Sequence, residues 1–132
     1  MTLIHGRTVV YNVNYHLVWS VKYRRPVLTE PVQDRLKTIL REIALSKGFT
    51  VDTVEVMPDH VHVFVSAPPK LPPSYLYKMM KGISGRKLLV EFEDLKKHLW
   101  RGHLWNPSTY IETIGHISEE TVKRYIEDQK KQ

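Results

Sequence analysis

The chain has 132 residues, 42% of them hydrophobic, which suits one folded domain with a single core and not a disordered segment. Twenty lysines and arginines against fourteen aspartates and glutamates leave a formal charge of +6; that favours a polyanionic partner such as nucleic acid, although ordinary soluble proteins also carry it. The absence of cysteine excludes disulfides, thiol catalysis and thiolate-bound zinc, so any metal site must use nitrogen and oxygen donors.

Residues Val9 to Val21 alternate with period two. Val13, Tyr15, Leu17, Trp19 and Val21 share one face and Asn12, Asn14, His16 and Ser20 the other, the pattern of a strand with one buried and one polar side. A basic turn, Tyr23-Arg24-Arg25-Pro26, follows. The next segment predicts a helix with Thr29 as N-cap, Pro31 in the first turn, Val32, Leu36, Ile39, Leu40 and Ile43 on one face, and Gly48 at the C′ position. Phe49 to Met57 reads as a second strand, broken by Met57-Pro58-Asp59, and His60 to Ser66 as a third that pairs with it as a hairpin. A stiff loop, Ala67 to Pro73, leads to a helical region from about Ser74 to Leu99, whose middle Gly82 and Gly85 should weaken or kink. Leu104 to Ile114 suggests a fourth strand, and Ser118 caps a last helix with Glu119 and Glu120 against its positive end.

The order β-α-β-β-α-β-α predicts an α+β domain spanning residues 1–132. Its fold would be ferredoxin-like (RRM-like), an antiparallel four-stranded sheet with helices on one face plus a C-terminal helix. No apolar run approaches the roughly 18 residues of a membrane span, and the first twelve residues lack a signal-peptide core, so a cytoplasmic protein is expected. No glycine-rich phosphate loop precedes a helix, so no nucleotide cofactor is expected.

The densest chemical signal is Met57-Pro58-Asp59-His60-Val61-His62-Val63-Phe64-Val65. Residues two apart in a strand share a face, so His60 and His62 could converge on one cation while Val61 and Val63 anchor the opposite side. Such a site would suit Mg²⁺, Mn²⁺ or another divalent ion. A lone His-x-His is more often a pair of half-exposed polar residues, and both readings stand at this point. In the last helix, Tyr125 and Gln129 lie one turn apart on one face, where a tyrosine ordinarily packs and a glutamine is solvated. His16 reads as an ordinary hydrogen-bonded histidine that could lie near the site; Asp59 reads equally as a turn residue or as a partner orienting an imidazole. Basic residues gather at Lys22, Arg24 and Arg25 around Tyr23, at Lys81, Arg86 and Lys87, and at Lys123 and Arg124. They could neutralise DNA phosphates, with Tyr23 stacking on a base, or be solvated surface charges. Trp19, Trp100 and Trp105 read as core or interface side chains.

Taken together, these blocks resemble the single-tyrosine transposases of the IS200/IS605 insertion-sequence family, within the His-hydrophobic-His (HUH) nucleases of single-stranded DNA. The resemblance is carried by His60-Val61-His62 after Met57-Pro58-Asp59 and by Tyr125-Ile126-Glu127-Asp128-Gln129. Tyr15-His16-Leu17-Val18-Trp19 with Lys22-Tyr23-Arg24, Lys81-Gly82-Ile83-Ser84-Gly85-Arg86, and Leu104-Trp105 with Gly115 extend it along the chain. Two positions depart from the family pattern: Gly85 stands where alanine is usual, and Thr109, followed by Tyr110, where tyrosine is frequent. The resemblance implies that His60, His62 and Gln129 bind Mg²⁺ or Mn²⁺. It further implies that Tyr125 attacks a scissile DNA phosphate to give a 5′-phosphotyrosine and a free 3′-hydroxyl, which later rejoins a strand. It also implies recognition of imperfect DNA hairpins at the element's ends, and a homodimer whose active sites are shared between subunits. Two alternatives are a non-catalytic nucleic-acid-binding module on the same sheet and a domesticated repeat-associated relative of these enzymes.

Overall fold

The computed structural model describes residues 4–5, 10–11, 13–99, 102–115 and 127. Helix α1 spans Glu30–Lys47, between Thr29 at its N-cap and Gly48 at its C-cap, as the sequence predicts. Proline fits the first turn because its missing N–H would have no intrahelical partner there. Gly48 adopts φ 84°, a left-handed conformation that an L side chain resists, and its N–H donates to the Ala44 carbonyl to close the helix.

Two short strands, β1 (Ile4–His5) and β2 (Val10–Tyr11), pair with each other apart from the main sheet. The main sheet comprises β3 (Asn14–Ser20), β4 (Thr50–Val56), β5 (His60–Ser66) and β6 (Tyr110–Ile114), in the antiparallel order β4-β5-β3-β6. Helix α2 (Pro73–Glu91) joins α1 over this sheet. Leu17, Trp19, Val61, Val63 and Val65 meet Leu36, Ile39, Leu40, Leu76, Met80 and Leu88 in one buried cluster. Fully burying an aliphatic side chain of this size contributes about 1.5–3 kcal/mol, so this layer fixes which way each strand faces.

Four features differ from the sequence reading. The strand expected over Val9 to Val21 is β3 only over Asn14–Ser20, and Val10–Tyr11 pairs with Ile4–His5 instead. The other three each have a physical reason. Strand β4 carries a bulge between Val51 and Thr53, which lets Val51, Val54 and Val56 all reach the core despite the broken period of two. Helix α2 runs unbroken through Gly82 and Gly85. The chain turns instead at Phe92, after which Glu93–His98 form 3₁₀ turns. Each glycine costs a helix about 1 kcal/mol against alanine, but Gly85 is buried against Trp105, where a β-carbon would stand 3.3 Å from Cδ1. The neighbouring Ser84 hydroxyl accepts the Trp105 indole N–H at 3.0 Å. Strand β6 begins only at Tyr110, because Pro107 cannot donate to a ladder; Trp105 makes an isolated bridge to Val21 instead.

The second face of the sheet is where the structure departs most from simple alternation. Asn14, His16, His62, Phe64 and Ser66 occupy it, and all five are buried. Of the predicted helix capped by Ser118, only Glu127 is among the described residues, and it is helical.

Candidate active site

His60 and His62 begin β5, directly after the Pro58-Asp59 turn, and stand on the same side of the strand. Their ring centroids are 5.1 Å apart with planes at 72°. Two separate hydrogen-bond systems hold these rings. Nδ1 of His60 lies 2.7 Å from Oδ1 of Asp59, whose other oxygen accepts Nε–H of Arg24 at 3.1 Å. Nδ1 of His62 lies 3.1 Å from Nε2 of His16, and Nδ1 of His16 lies 2.9 Å from Oε1 of Glu112.

Strand register produces this second system. His16 on β3 is directly opposite Glu112 on β6 and directly opposite Phe64 on β5, so it lies diagonally across from His62. Diagonal neighbours are within reach of ring side chains. The His16 ring also stacks on Phe64, with centroids 4.4 Å apart and planes within 6°. Tyr110 donates its hydroxyl to Oε2 of Glu112 at 3.0 Å, so that carboxylate is held from two sides.

Burial and hydrogen bonding together set the charge of these groups. Removal from water, reinforced by His16 and His60 nearby, pushes the His62 pKa down to about 4, so its imidazole is neutral at pH 7. Burial likewise lowers His16, against the opposing pull of Glu112. The His16 hydrogen bond holds the Glu112 carboxyl below its ordinary range. For Asp59, burial pushes upward, but the hydrogen bonds from His60 and Arg24 outweigh it and the carboxyl ends below its ordinary value.

A concavity of about 450 Å³ opens over the pair, lined by Val18, Trp19, Ser20, Arg24, His60, His62, Ser108 and Tyr110. Both imidazoles engage Nδ1 with protein partners; outer partners of this kind commonly orient ligating histidines, which then bind through Nε2. This donor set fits a divalent ion. Among the described residues no group of three His, Cys, Asp or Glu side chains could hold a metal.

The basic residues divide by environment. Lys22, Tyr23 and Arg24 form a 3₁₀ turn after β3 in which Tyr23 and Arg24 have positive φ values of 62° and 52°. Such conformations cost about 1–3 kcal/mol and persist only where surroundings enforce them. Here the Val21 N–H donates to the Asp59 carbonyl and the Lys22 N–H to the Leu104 carbonyl, each at 2.8 Å. Tyr23 is exposed, with the Lys22 ammonium 5.6 Å from its ring centre; Arg25 is exposed as well. Arg86 and Lys87 are exposed on α2, and Arg86 lines a second concavity of about 590 Å³ with Lys22, Lys81, His103 and Trp105. Lys81 is half-buried there. Its Nζ donates to the Asn106 carbonyl at 2.7 Å, the Ser108 carbonyl at 3.1 Å and the Thr109 hydroxyl at 2.8 Å, fastening the loop before β6. Trp19 and Trp105 are buried and meet edge to face at 5.9 Å. Tyr125, Gln129, Lys123, Arg124 and Trp100 lie outside the described residues.

Sequence reasoning undervalued His16 and passed over Glu112. Period two put His16 on the histidine side of the sheet, but only the pairing of β3 with both β5 and β6 brings the three residues together.

Residues 9–129 match the family model for IS200-like transposases. The chain is 48% identical over 124 residues to the ISDra2 transposase TnpA of Deinococcus radiodurans, covering 94% of this chain and 89% of that one. It is 29% identical over 132 residues to the transposase of insertion sequence IS200 from Salmonella typhimurium, covering 98% and 85%. Its fold superimposes on the crystal structure of a Deinococcus radiodurans R1 transposase with a TM-score of 0.79 at 41% identity, over 96% and 97% of the two chains. It also shares the fold of a REP-associated tyrosine transposase bound to a REP hairpin, with a TM-score of 0.58 at 16% identity, over 97% and 68%. The fold and these relatives define a DNA transposase. More narrowly, the chain belongs to the IS200-like transposases of the IS200/IS605 family.

Proposed function

We propose that this transposase cuts and rejoins single-stranded DNA at the ends of its element, with Tyr125 as the nucleophile and His60, His62 and Gln129 as ligands of Mg²⁺ or Mn²⁺. The observation that carries the reading is the pair of hydrogen-bond systems behind the histidines. Asp59 holds His60 and Glu112 holds His62 through His16, so both rings are fixed by Nδ1 in one concavity. A sheet used only as a binding platform has no need of two imidazoles braced in this way.

When bound, a divalent ion would polarise the scissile phosphate and offset charge developing on its oxygens. The Tyr125 hydroxyl gives up its proton as its oxygen attacks phosphorus, and the departing 3′-oxygen takes one up, so protons balance. The bond from phosphorus to the 3′-oxygen breaks, leaving a 5′-phosphotyrosine and a free 3′-hydroxyl. Because the covalent link retains the bond energy, a later 3′-hydroxyl can displace the tyrosine and restore a phosphodiester without ATP. Arg24, Lys22 and Arg86 stand beside the two concavities and would neutralise the DNA backbone there.

The family likeness also supports binding to DNA hairpins and a cytoplasmic homodimer with shared active sites. No described helix is long and apolar enough to cross a membrane. Strands β4 and β6 are the sheet edges at which a second copy could join.

The test is incubation of labelled single-stranded DNA carrying the element's ends with the wild type and Tyr125→Phe, in Mg²⁺ and in EDTA. The expected result is a protein-linked 5′ fragment that requires both the metal and Tyr125. Binding without an adduct in either protein would favour a non-catalytic module, and an adduct in the mutant would displace Tyr125 as nucleophile.

A further inference from the structure

We infer that Glu112 is a positioning residue that acts through His16 to fix the tautomer of His62, keeping its Nε2 unprotonated and able to ligate. This rests on the reading of His62 as a ligand, but its argument is one of proton placement in the chain Glu112–His16–His62.

A carboxylate only accepts hydrogen bonds, so the 2.9 Å contact between Oε1 of Glu112 and Nδ1 of His16 requires the proton on Nδ1 of His16. A neutral His16 with that proton has a bare Nε2. The 3.1 Å contact from that nitrogen to Nδ1 of His62 then requires the proton on Nδ1 of His62. A neutral His62 protonated there presents a lone pair at Nε2, the form a metal needs. The chain could run the opposite way only if Glu112 donated or if His16 carried both ring protons. In either case His62 would carry its proton on Nε2 and could not ligate through it.

The geometry suits transmission of this choice. The rings of His16 and His62 are within 11° of parallel, and Phe64 stacks on His16 with planes within 6°. Tyr110 donates to the second oxygen of Glu112, which turns the first toward His16. Asp59 does the same work for His60 without an intermediary.

Glu112→Gln is the informative variant, because the amide preserves shape yet can donate or accept, so it no longer dictates direction. Nitrogen-15 spectra of the imidazoles in the metal-free protein read the tautomer directly. The wild type is expected to show His16 and His62 both protonated on Nδ1, and Glu112→Gln to show a mixture. Finding His62 protonated on Nε2 in the wild type, or an unchanged tautomer in Glu112→Gln, would overturn the inference. Titration of the metal-free protein with Mn²⁺ is expected to show about 10- to 100-fold weaker binding for Glu112→Gln. In a His16→Phe background, where the relay is already cut, adding Glu112→Gln is expected to cost nothing more; additive losses would refute action through His16. A wild type that shows the expected tautomer yet binds no Mn²⁺ would sink the metal reading while leaving the relay standing.

Discussion

Oδ1 of Asp59 lies 2.7 Å from Nδ1 of His60, the very next residue, while Oδ2 of the same carboxylate accepts Arg24 from the basic turn. Asp59 thereby joins a loop, a histidine and a cation in one short stretch. Asp59→Asn is expected to weaken Mn²⁺ binding about 10- to 100-fold, as loss of an outer partner does elsewhere. Arg24→Ala removes a largely exposed ion pair worth at most about 1 kcal/mol, so its effect on Mn²⁺ affinity is expected to be smaller. Calorimetric titration of the two variants checks the order; equal losses would show that the two act as one unit.

Lys81 fastens the Asn106–Thr109 loop, which delivers Ser108 and Tyr110 to the histidine concavity. Lys81→Met should destabilise the protein by about 1.5–3 kcal/mol, the range for hydrogen bonds to a charged group, and speed amide exchange in that loop. DNA affinity would fall with an unchanged salt slope. Arg86→Ala, by contrast, should lower the slope of log K against log salt by about 1 if Arg86 meets a phosphate. Affinities measured across a salt series separate the two behaviours.

Gly85 tests how tightly α2 meets the loop. A β-carbon there would stand 3.3 Å from Cδ1 of Trp105, whose indole is tied to Ser84 and cannot retreat freely. Gly85→Val is expected to cost about 1–3 kcal/mol through overpacking. Gly85→Ala is expected to stay within about 1 kcal/mol of the wild type, because gained helix propensity offsets the close contact. Urea unfolding of both variants provides the comparison.

Arg35 and Glu91 tie α1 to the last turn of α2 through a two-pronged contact, Nε to Oε2 and Nη2 to Oε1, each at 2.9 Å. The hydrogen bond from Arg35 lowers the Glu91 pKa below its ordinary 4.5. A lowered folded pKa means the contact contributes fully above 4.5 and is lost as pH falls through the folded value. Glu91→Gln should therefore lower the unfolding midpoint slightly at pH 7 and not at all once Glu91 is protonated. High salt should shrink the difference at pH 7. A constant difference down to pH 2 would mean the carboxylate charge is not responsible.

Much of this fold was legible because its signals are local. Thr29, Pro31 and Gly48 mark both ends of α1, and the alternation around Leu17 and Trp19 marks β3. The spacing of His60 and His62 put both on one side of a strand, as found. Local rules misled where a distant partner decided. Gly85 looks like a helix breaker until Trp105 fills the space beside it, and Leu104 to Thr109 looks like strand until Pro107 and the Lys81 contacts shape it as a loop.

The sequence alone determined the order of the four main-sheet strands and the two helices α1 and α2, the apolar layer beneath the sheet and the presence of an imidazole pair, since caps, turns and periodicity act within a few residues. Only the tertiary structure decided that the polar side of β3 and β5 is buried and that His16 and Glu112 stand behind His62. His16 is 46 residues from His62 and 96 from Glu112 along the chain. No local pattern encodes such contacts, because strand register is set by which face of each strand the core accepts, and a slip of one residue would turn every one of these side chains away.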